Sequence, residues 1–178
     1  MEAGRIILSS FGNFEKGLLE KLVLDVTNEY QRPVSVEENH YDLNPCYNPE
    51  RRQYEGNMLL NHISISAPPD PVRTVGLFRI DLFIPVLTYI FGQAMLNGTS
   101  AIASLYRLRN ELYGLKKDEA LMIERFSKEV IHELGHTFGL IHCQFSSCVM
   151  RSSTYVEDID QKSIHLCGRC KAEAVLQK

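Results

Sequence analysis

Five residues near the middle of the C-terminal half have the types and spacing to do chemistry together: His132, Glu133, His136, Gly139 and His142, in the order H-E-x-x-H-x-x-G-x-x-H. Four residues turn a helix by about 400° and advance it about 6 Å, so the imidazoles of His132 and His136 share one face. That spacing lets two nitrogens reach one zinc ion at ~2.0–2.1 Å. Glu133 stands beside His132 and can reach a water at the ion without being a ligand. His142 lies six residues beyond His136; on a continued helix it would point away and sit roughly 9 Å further along. It joins the same ion only if the helix ends and the chain folds back. Gly139 is the expected place, because glycine takes positive φ at little cost. Three neutral ligands leave a fourth position for water, as in catalytic zinc sites. The metal lowers that water's pKa to about 7; Glu133 can take its proton and return it to a leaving amine. The predicted chemistry is peptide hydrolysis. The plainer alternative, two helix histidines and an unrelated third, leaves half of the chain's six histidines in one motif by chance.

The second concentration of chemistry is sulfur. Cys143, Cys148, Cys167 and Cys170 form C-x4-C and C-x2-C pairs, and Cys46 stands alone far upstream. Met1–Ser10 carries one cation, Arg5, and only Ile6–Leu8 as an apolar run. A signal peptide needs about 7–15 apolar residues, so the chain is read as unexported and cytoplasmic. In that setting clustered cysteines bind metal more often than they form disulfides, and the odd total argues against full pairing.

Composition excludes several partners. With a net charge of −3 there is no basic field for nucleic acid or an anionic membrane. No apolar run approaches the ~18 residues needed to span a bilayer. A length of 178 residues with 44% hydrophobic content suits one domain, 1–178, and a monomer is expected.

These groups must be positioned by ordered elements. Arg5–Ser10 reads as a buried strand. Phe14, Leu18, Leu22 and Val26 recur at helical spacing, predicting a helix from Phe14 to Tyr30 with Asn13 as N-cap. Pro33–Val36 reads as a strand. Asn48-Pro49 looks like a helix start, with a helix to about His62 weakened by Gly56. Ala67–Pro71 reads as a loop and Val75–Ile84 as a strand. Leu87–Gln93 and Ala101–Leu108 are further strands, the first at an edge. A long helix over about 118–138 presents Ile123, Phe126, Val130, Ile131 and Leu134 to the core, and the chain beyond Gly139 is expected to be irregular. This order describes an α/β (α+β) architecture, a mixed twisted sheet backed by helices, with a 1–139 part and a C-terminal part at 140–178.

Taken together, the His and Cys positions read H-E-x-x-H-x-x-G-x-x-H-C-x4-C-x-M, followed by C-x2-C. On these residues the chain resembles the archaemetzincins, a family of the metzincin clan of zinc peptidases. Asp160-x-Lys162 ahead of Cys167 is similar to that family as well. The resemblance covers Phe126 to Cys170; the N-terminal half agrees in size and element order only. It implies a compact metzincin-like fold without a separate propeptide and with two zinc ions. His132, His136 and His142 would hold the catalytic ion, and Cys143, Cys148, Cys167 and Cys170 a structural one. A tight turn would place Met150 beneath the histidines; the plainer reading makes it core filler. Four thiolates in two local pairs independently suit a closed tetrahedral site, with a disulfide pair or His165 in place of one cysteine as alternatives. Several clan relatives carry a tyrosine two residues after the methionine; here that position is Ser152, and Tyr155 is given no catalytic role. Cys46 is similar on its face to a zinc-blocking cysteine but is read as a free thiol.

Three functions compete: a zinc peptidase, a metal-binding protein without turnover, and a zinc hydrolase of other amides. Glu133 favours the first, since a scaffold needs no base there. The resemblance adds release of N-terminal residues from short peptides. The edge strand at Leu87–Gln93 could pair with an extended peptide or be a plain sheet edge.

Overall fold

The structure is a computed structural model that describes residues 4–70 and 72–176; Met1–Ala3 of the N-terminal reading and Pro71 of the expected loop lie outside the described residues. In chain order the regular elements are β1 (Ile6–Phe11), α1 (Lys16–Tyr30), β2 (Val34–Asn39), β3 (Tyr47–Asn48), β4 (Gln53–Glu55), α2 (Gly56–Ser66), β5 (Arg73–Phe78), β6 (Leu82–Phe83), β7 (Gly92–Ala94), β8 (Ser100–Ser104), α3 (Glu119–Thr137), α4 (Val156–Gln161) and α5 (Gly168–Leu176).

Five strands form one sheet in the order β2-β1-β5-β8-β7. The first four are parallel and β7 runs antiparallel at the edge. Alternate side chains of a strand point to opposite faces, and the core divides accordingly. Ile6, Leu8, Val75, Leu77, Ala101 and Ala103 pack with α1 and α3. Phe78 and Ile102 pack with Leu59, Leu60 and Ile63 of α2 on the other side. The expected α/β architecture is therefore found as a sheet between two helical layers. A small second sheet, β3-β4-β6, sits beside it.

Several boundaries differ from the sequence reading. α1 begins at Lys16, and neither Asn13 nor the actual cap Glu15 closes it with a side-chain bond. Phe14 is drawn out of the helix to stack on Phe126 at 6.1 Å. The helix expected from Asn48 is absent. Asn48 Oδ1 accepts from the backbone N–H of Arg51, closing a turn between β3 and β4. The helix begins at Gly56 instead. Val75–Ile84 splits after Phe78, because Asp81 is held by a two-pronged bond from Arg107 at 2.6 and 2.7 Å. The chain then joins β4 through Leu82 and Phe83. Of Leu87–Gln93 only Gly92 and Gln93 lie in β7, with a lone bridge from Ile90 to Leu82. Ala101–Leu108 ends as a strand at Ser104 and turns as a 3-10 segment at Tyr106–Leu108.

The long helix is where the spacing places it. Asp118 caps α3 by accepting from Leu121 N–H at 2.9 Å. Beyond it the chain is more regular than expected, since it carries two short helices, α4 and α5. Asp160 of α4 takes a two-pronged bond from the buried Arg125 of α3. Lys162 reaches Glu129 one turn further along α3. The Asp160-x-Lys162 pair thus straps the C-terminal segment onto α3. Among the described residues no helix is long and apolar enough to cross a membrane.

Candidate metal centre and cleft

α3 carries His132, Glu133 and His136 into the interior near its C-terminal end, beside β7 and β8. The helix then stops as the histidine argument requires. Gly139 has φ +79°; its N–H bonds the His136 carbonyl at 2.9 Å, and the Leu140 N–H bonds the Gly135 carbonyl at 3.0 Å. These two bonds are a Schellman ending. They reverse the chain and bring His142 back, so that its ring centroid lies 5.3 Å from His132 and 5.0 Å from His136. Ligating atoms of the three histidines all fall within 4.8 Å of one another.

The outer partners of two histidines fix which nitrogen is free. His132 Nδ1 faces the Val149 carbonyl at 2.8 Å, and His136 Nδ1 faces the Leu140 carbonyl at 2.7 Å. Each Nδ1 must carry the proton to donate to its carbonyl. Both Nε2 atoms then present lone pairs, and they lie 3.1 Å apart. Two facing lone pairs repel unless a cation sits between them. Nitrogens ~2.0–2.1 Å from one tetrahedral ion stand ~3.3 Å apart, so the donor set fits zinc. Burial holds all three imidazoles below their usual range, with the Lys162 ammonium adding to it. The shift favours the neutral imidazole, which is the form that ligates.

Glu133 is 5% exposed. Burial pushes its carboxyl well above the usual range, and Glu129 adds to the shift. Its neighbour across the cleft is Gly92 of β7. A side chain there would begin 2.7 Å from Glu133 Cγ and 2.8 Å from Oε1, so only glycine lets the strand lie against the carboxylate. Met150 lies fully buried under α3, and a Cβ on Gly135 would stand 2.3 Å from its sulfur.

The four clustered cysteines also converge, with all their sulfurs within 4.8 Å. Cys143 Sγ and Cys167 Sγ are 3.8 Å apart, close to the ~3.8 Å edge of a tetrahedron with ~2.3 Å Zn–S bonds. All four are free, which argues against the disulfide alternative. Backbone N–H groups of Phe145 and Cys167 point at Cys143 and Cys148 sulfurs, as suits thiolates. The Cys170 N–H, first among several causes, draws the Cys167 thiol down to about 7, while burial pushes Cys148 and Cys170 up. His165 is outside the cluster; its Nδ1 bonds Glu29 at 2.7 Å. Cys46 is buried elsewhere, against α2.

The two clusters share their scaffold. Residues 143–150 supply two cysteines, the Val149 carbonyl that orients His132, and Met150. Cys143 N–H bonds the Met150 carbonyl, and Val149 N–H the His165 carbonyl.

A cleft of about 790 Å³ opens at the histidines, bounded by residues 87–94 on one side and 152–155 on the other. Tyr89 Oη bridges the walls by donating to the Thr154 carbonyl at 2.9 Å. β7 bonds β8 through Phe91, Gln93 and Met95. Gly92 and Ala94 alternate with these, so their backbone groups face the cleft. Leu87, Leu96, Ile141 and Tyr155 are exposed at its rim.

Sequence reasoning missed Glu129 and Gly92 at this cleft and Glu29 behind it, and it marked Lys162 only through the Asp160-x-Lys162 resemblance, without placing it at the cleft. Gly92 had a detectable signal, a glycine within a strand-like run, which often marks close backbone approach. The buried glutamates had none, because charged residues at these positions read as surface.

The sequence model of peptidase family M54 matches residues 60–177. An archaemetzincin from Thermococcus kodakarensis is 42% identical over 127 residues, 71% of this chain and 68% of the relative. The crystal structure of archaemetzincin from Methanopyrus kandleri superposes with a TM-score of 0.84 at 32% identity, covering 98% of this chain and 94% of the other. A zinc-dependent peptidase from Methanocorpusculum labreanum gives 0.81 at 26% identity, with 95% and 99% covered.

Proposed function

Because the chain belongs to peptidase family M54, the archaemetzincins, and is a zinc metallopeptidase, we propose that His132, His136 and His142 hold its catalytic zinc and that Glu133 moves the proton in peptide-bond cleavage. The observation that carries this is the pair of unprotonated Nε2 atoms at 3.1 Å beside a buried carboxylate. When bound, zinc supplies Lewis acidity to the scissile carbonyl and to water. The chain's own residues do the rest. Val149 and Leu140 carbonyls hold the ligand tautomers. Glu133, raised by burial, is poised to accept a proton and hand it to the leaving amine. Gly92 and Ala94 offer free backbone groups to an extended peptide, the β-addition mode.

The four cysteines are assigned a second, structural zinc, since a closed thiolate set has no open position. Met150 is assigned the supporting turn beneath the histidines and Gly139 the reversal that delivers His142. On this reading residues 1–178 act as one metallopeptidase domain whose portion from 140 onward is stapled by the cysteines. Release of N-terminal residues from short peptides is the narrower activity.

A protein that had kept the metal but lost turnover would not need Glu133 buried at a cost in desolvation. Digestion of a peptide library by the zinc-loaded and chelator-treated protein tests the proposal. Cleavage that disappears with the metal is expected; no cleavage with both metals bound would overturn it.

A further inference from the structure

The three histidines are held unequally. His132 and His136 each have a carbonyl behind the ring, from Val149 and Leu140. His142 is exposed and, among the described residues, makes no hydrogen bond through its ring or its backbone. With Ile141 it forms a two-residue span between two anchors. On one side the Leu140 N–H is bonded to the Gly135 carbonyl, and on the other the Cys143 N–H is bonded to the Met150 carbonyl. Cys143 is itself buried, with its Sγ 3.8 Å from Cys167 Sγ in the sulfur cluster.

The carbonyl behind His132 is placed from the same cluster. Val149 directly follows Cys148, whose Sγ accepts from the Cys167 N–H at 3.3 Å. The Val149 N–H is bonded to the carbonyl of His165, two residues before Cys167. His142 is thus one residue from a clustered cysteine, and so is the carbonyl partner of His132. His136 differs, because Leu140 belongs to the helix ending. An ion at the sulfurs would tie residues 143–150 to residues 167–170. Without a cation, four thiolates within 4.8 Å of one another would repel and drive these segments apart.

We propose that Cys143 and Cys148 are positioning residues for the histidine site: metal at the four sulfurs fixes residues 143–150, which set His142 and orient His132, so that filling one site strengthens the other. The inference rests on the reading that both clusters hold zinc. The two cysteines act through the chain and the Val149 carbonyl. Losing the outer support of a metal ligand costs about 10–100-fold in metal affinity. Coupling between two binding sites is reciprocal by thermodynamic necessity.

Zinc alone is the probe, and competition with a zinc chelator reads how many ions each folded protein holds and how tightly. Cys170→Ser removes a sulfur from α5, which adjoins neither a histidine nor Val149 in the chain. The variant is expected to lose the sulfur-bound ion and to hold the histidine-bound ion about 10–100-fold more weakly than the parent. Leu59→Ala is measured alongside, because it loosens the core on the other face of the sheet. Its histidine site should match the parent; a weakening equal to that of Cys170→Ser would overturn the proposal, since general loss of stability would then explain both. Should Cys170→Ser not fold, His142→Ala, at an exposed position, gives the reciprocal reading. With the histidine site disabled, the sulfur-bound ion is expected to be held more weakly by a similar factor. Unchanged affinity at the remaining site in either variant would overturn the coupling and leave the two-site reading standing. A parent that binds a single zinc would overturn both.

Discussion

Gly135→Ala tests the packing that ties the histidine helix to Met150. In an ordinary exposed helix interior this change stabilises, because alanine exceeds glycine by about 1 kcal/mol. Here the new Cβ would stand 2.3 Å from Met150 Sδ and 3.0 Å from Cε, against an ordinary contact of at least 3.4 Å. The sulfur must therefore withdraw by about 1.1 Å. Met150 is fully buried and its own carbonyl is held by Cys143 N–H at 3.0 Å, so the side chain has little room to retreat. Overpacking of this kind costs about 1–3 kcal/mol, enough to reverse the propensity gain. Met150→Ala alone should cost about 2–5 kcal/mol. The double variant should be less destabilised than the sum of the singles, with a coupling of about 0.5–3 kcal/mol. Denaturant unfolding of the zinc-loaded parent, both singles and the double measures all four corners. A Gly135→Ala protein more stable than the parent, or strictly additive changes, would refute the claim that Met150 is wedged against the helix.

Cys167→Ser should lower the melting temperature markedly and reduce zinc below the two ions per monomer proposed for the parent, since a structural zinc contributes folding energy outright; two zincs retained at unchanged stability would count against the second site. Glu29 is buried and accepts from Leu166 N–H at 2.8 Å and from His165, so Glu29→Ala should destabilise by about 1–3 kcal/mol through orphaned donors, read by thermal unfolding; a neutral change would show that α1 is not clamped there. In metal-free protein the three histidines have folded pKa values below the unfolded ~6.5. They bind fewer protons folded than unfolded, so stability falls as pH drops through that value. Glu133 is raised and contributes oppositely, its stabilisation fading as pH rises above the unfolded ~4.3. Glu133→Gln should therefore lose stability more steeply than the parent below pH ~6.5; a shallower profile would contradict both assignments.

The helix carrying the histidines was legible because its signals agree. Asp118 caps it, Phe126, Val130, Ile131 and Leu134 recur at its buried face, and Gly139 ends it. Parallel strands buried on both faces, such as Ile6–Phe11, are also plain as apolar runs. Asn48-Pro49 misled because Asn closes turns as readily as it caps helices, and tertiary pairing of β3 with β4 decided between them. The helices after Gly139 escaped notice because both are short, and α4 is held by long-range contacts, Arg125 to Asp160 and Lys128 to the Ile159 carbonyl. At the cleft, spacing along one helix exposed His132, Glu133 and His136. Lys162 comes from 30 residues downstream, and only the folded chain sets it against Glu129. Short-range pattern finds ligands on one element; it does not find groups that meet across elements.

The most direct test of the account is zinc content and turnover measured together for Glu133→Ala. On the proposed assignment Glu133 is not a ligand, so the variant should carry the same zinc per monomer as the parent. It should cleave library peptides about 10²–10⁴-fold more slowly, the usual contribution of a general base. His136→Ala, measured alongside, should lose the histidine-bound zinc and the activity at once. A Glu133→Ala protein as active as a cleaving parent would contradict the proton role at the centre of the mechanism. Loss of zinc from that variant would contradict the separation of base from ligands.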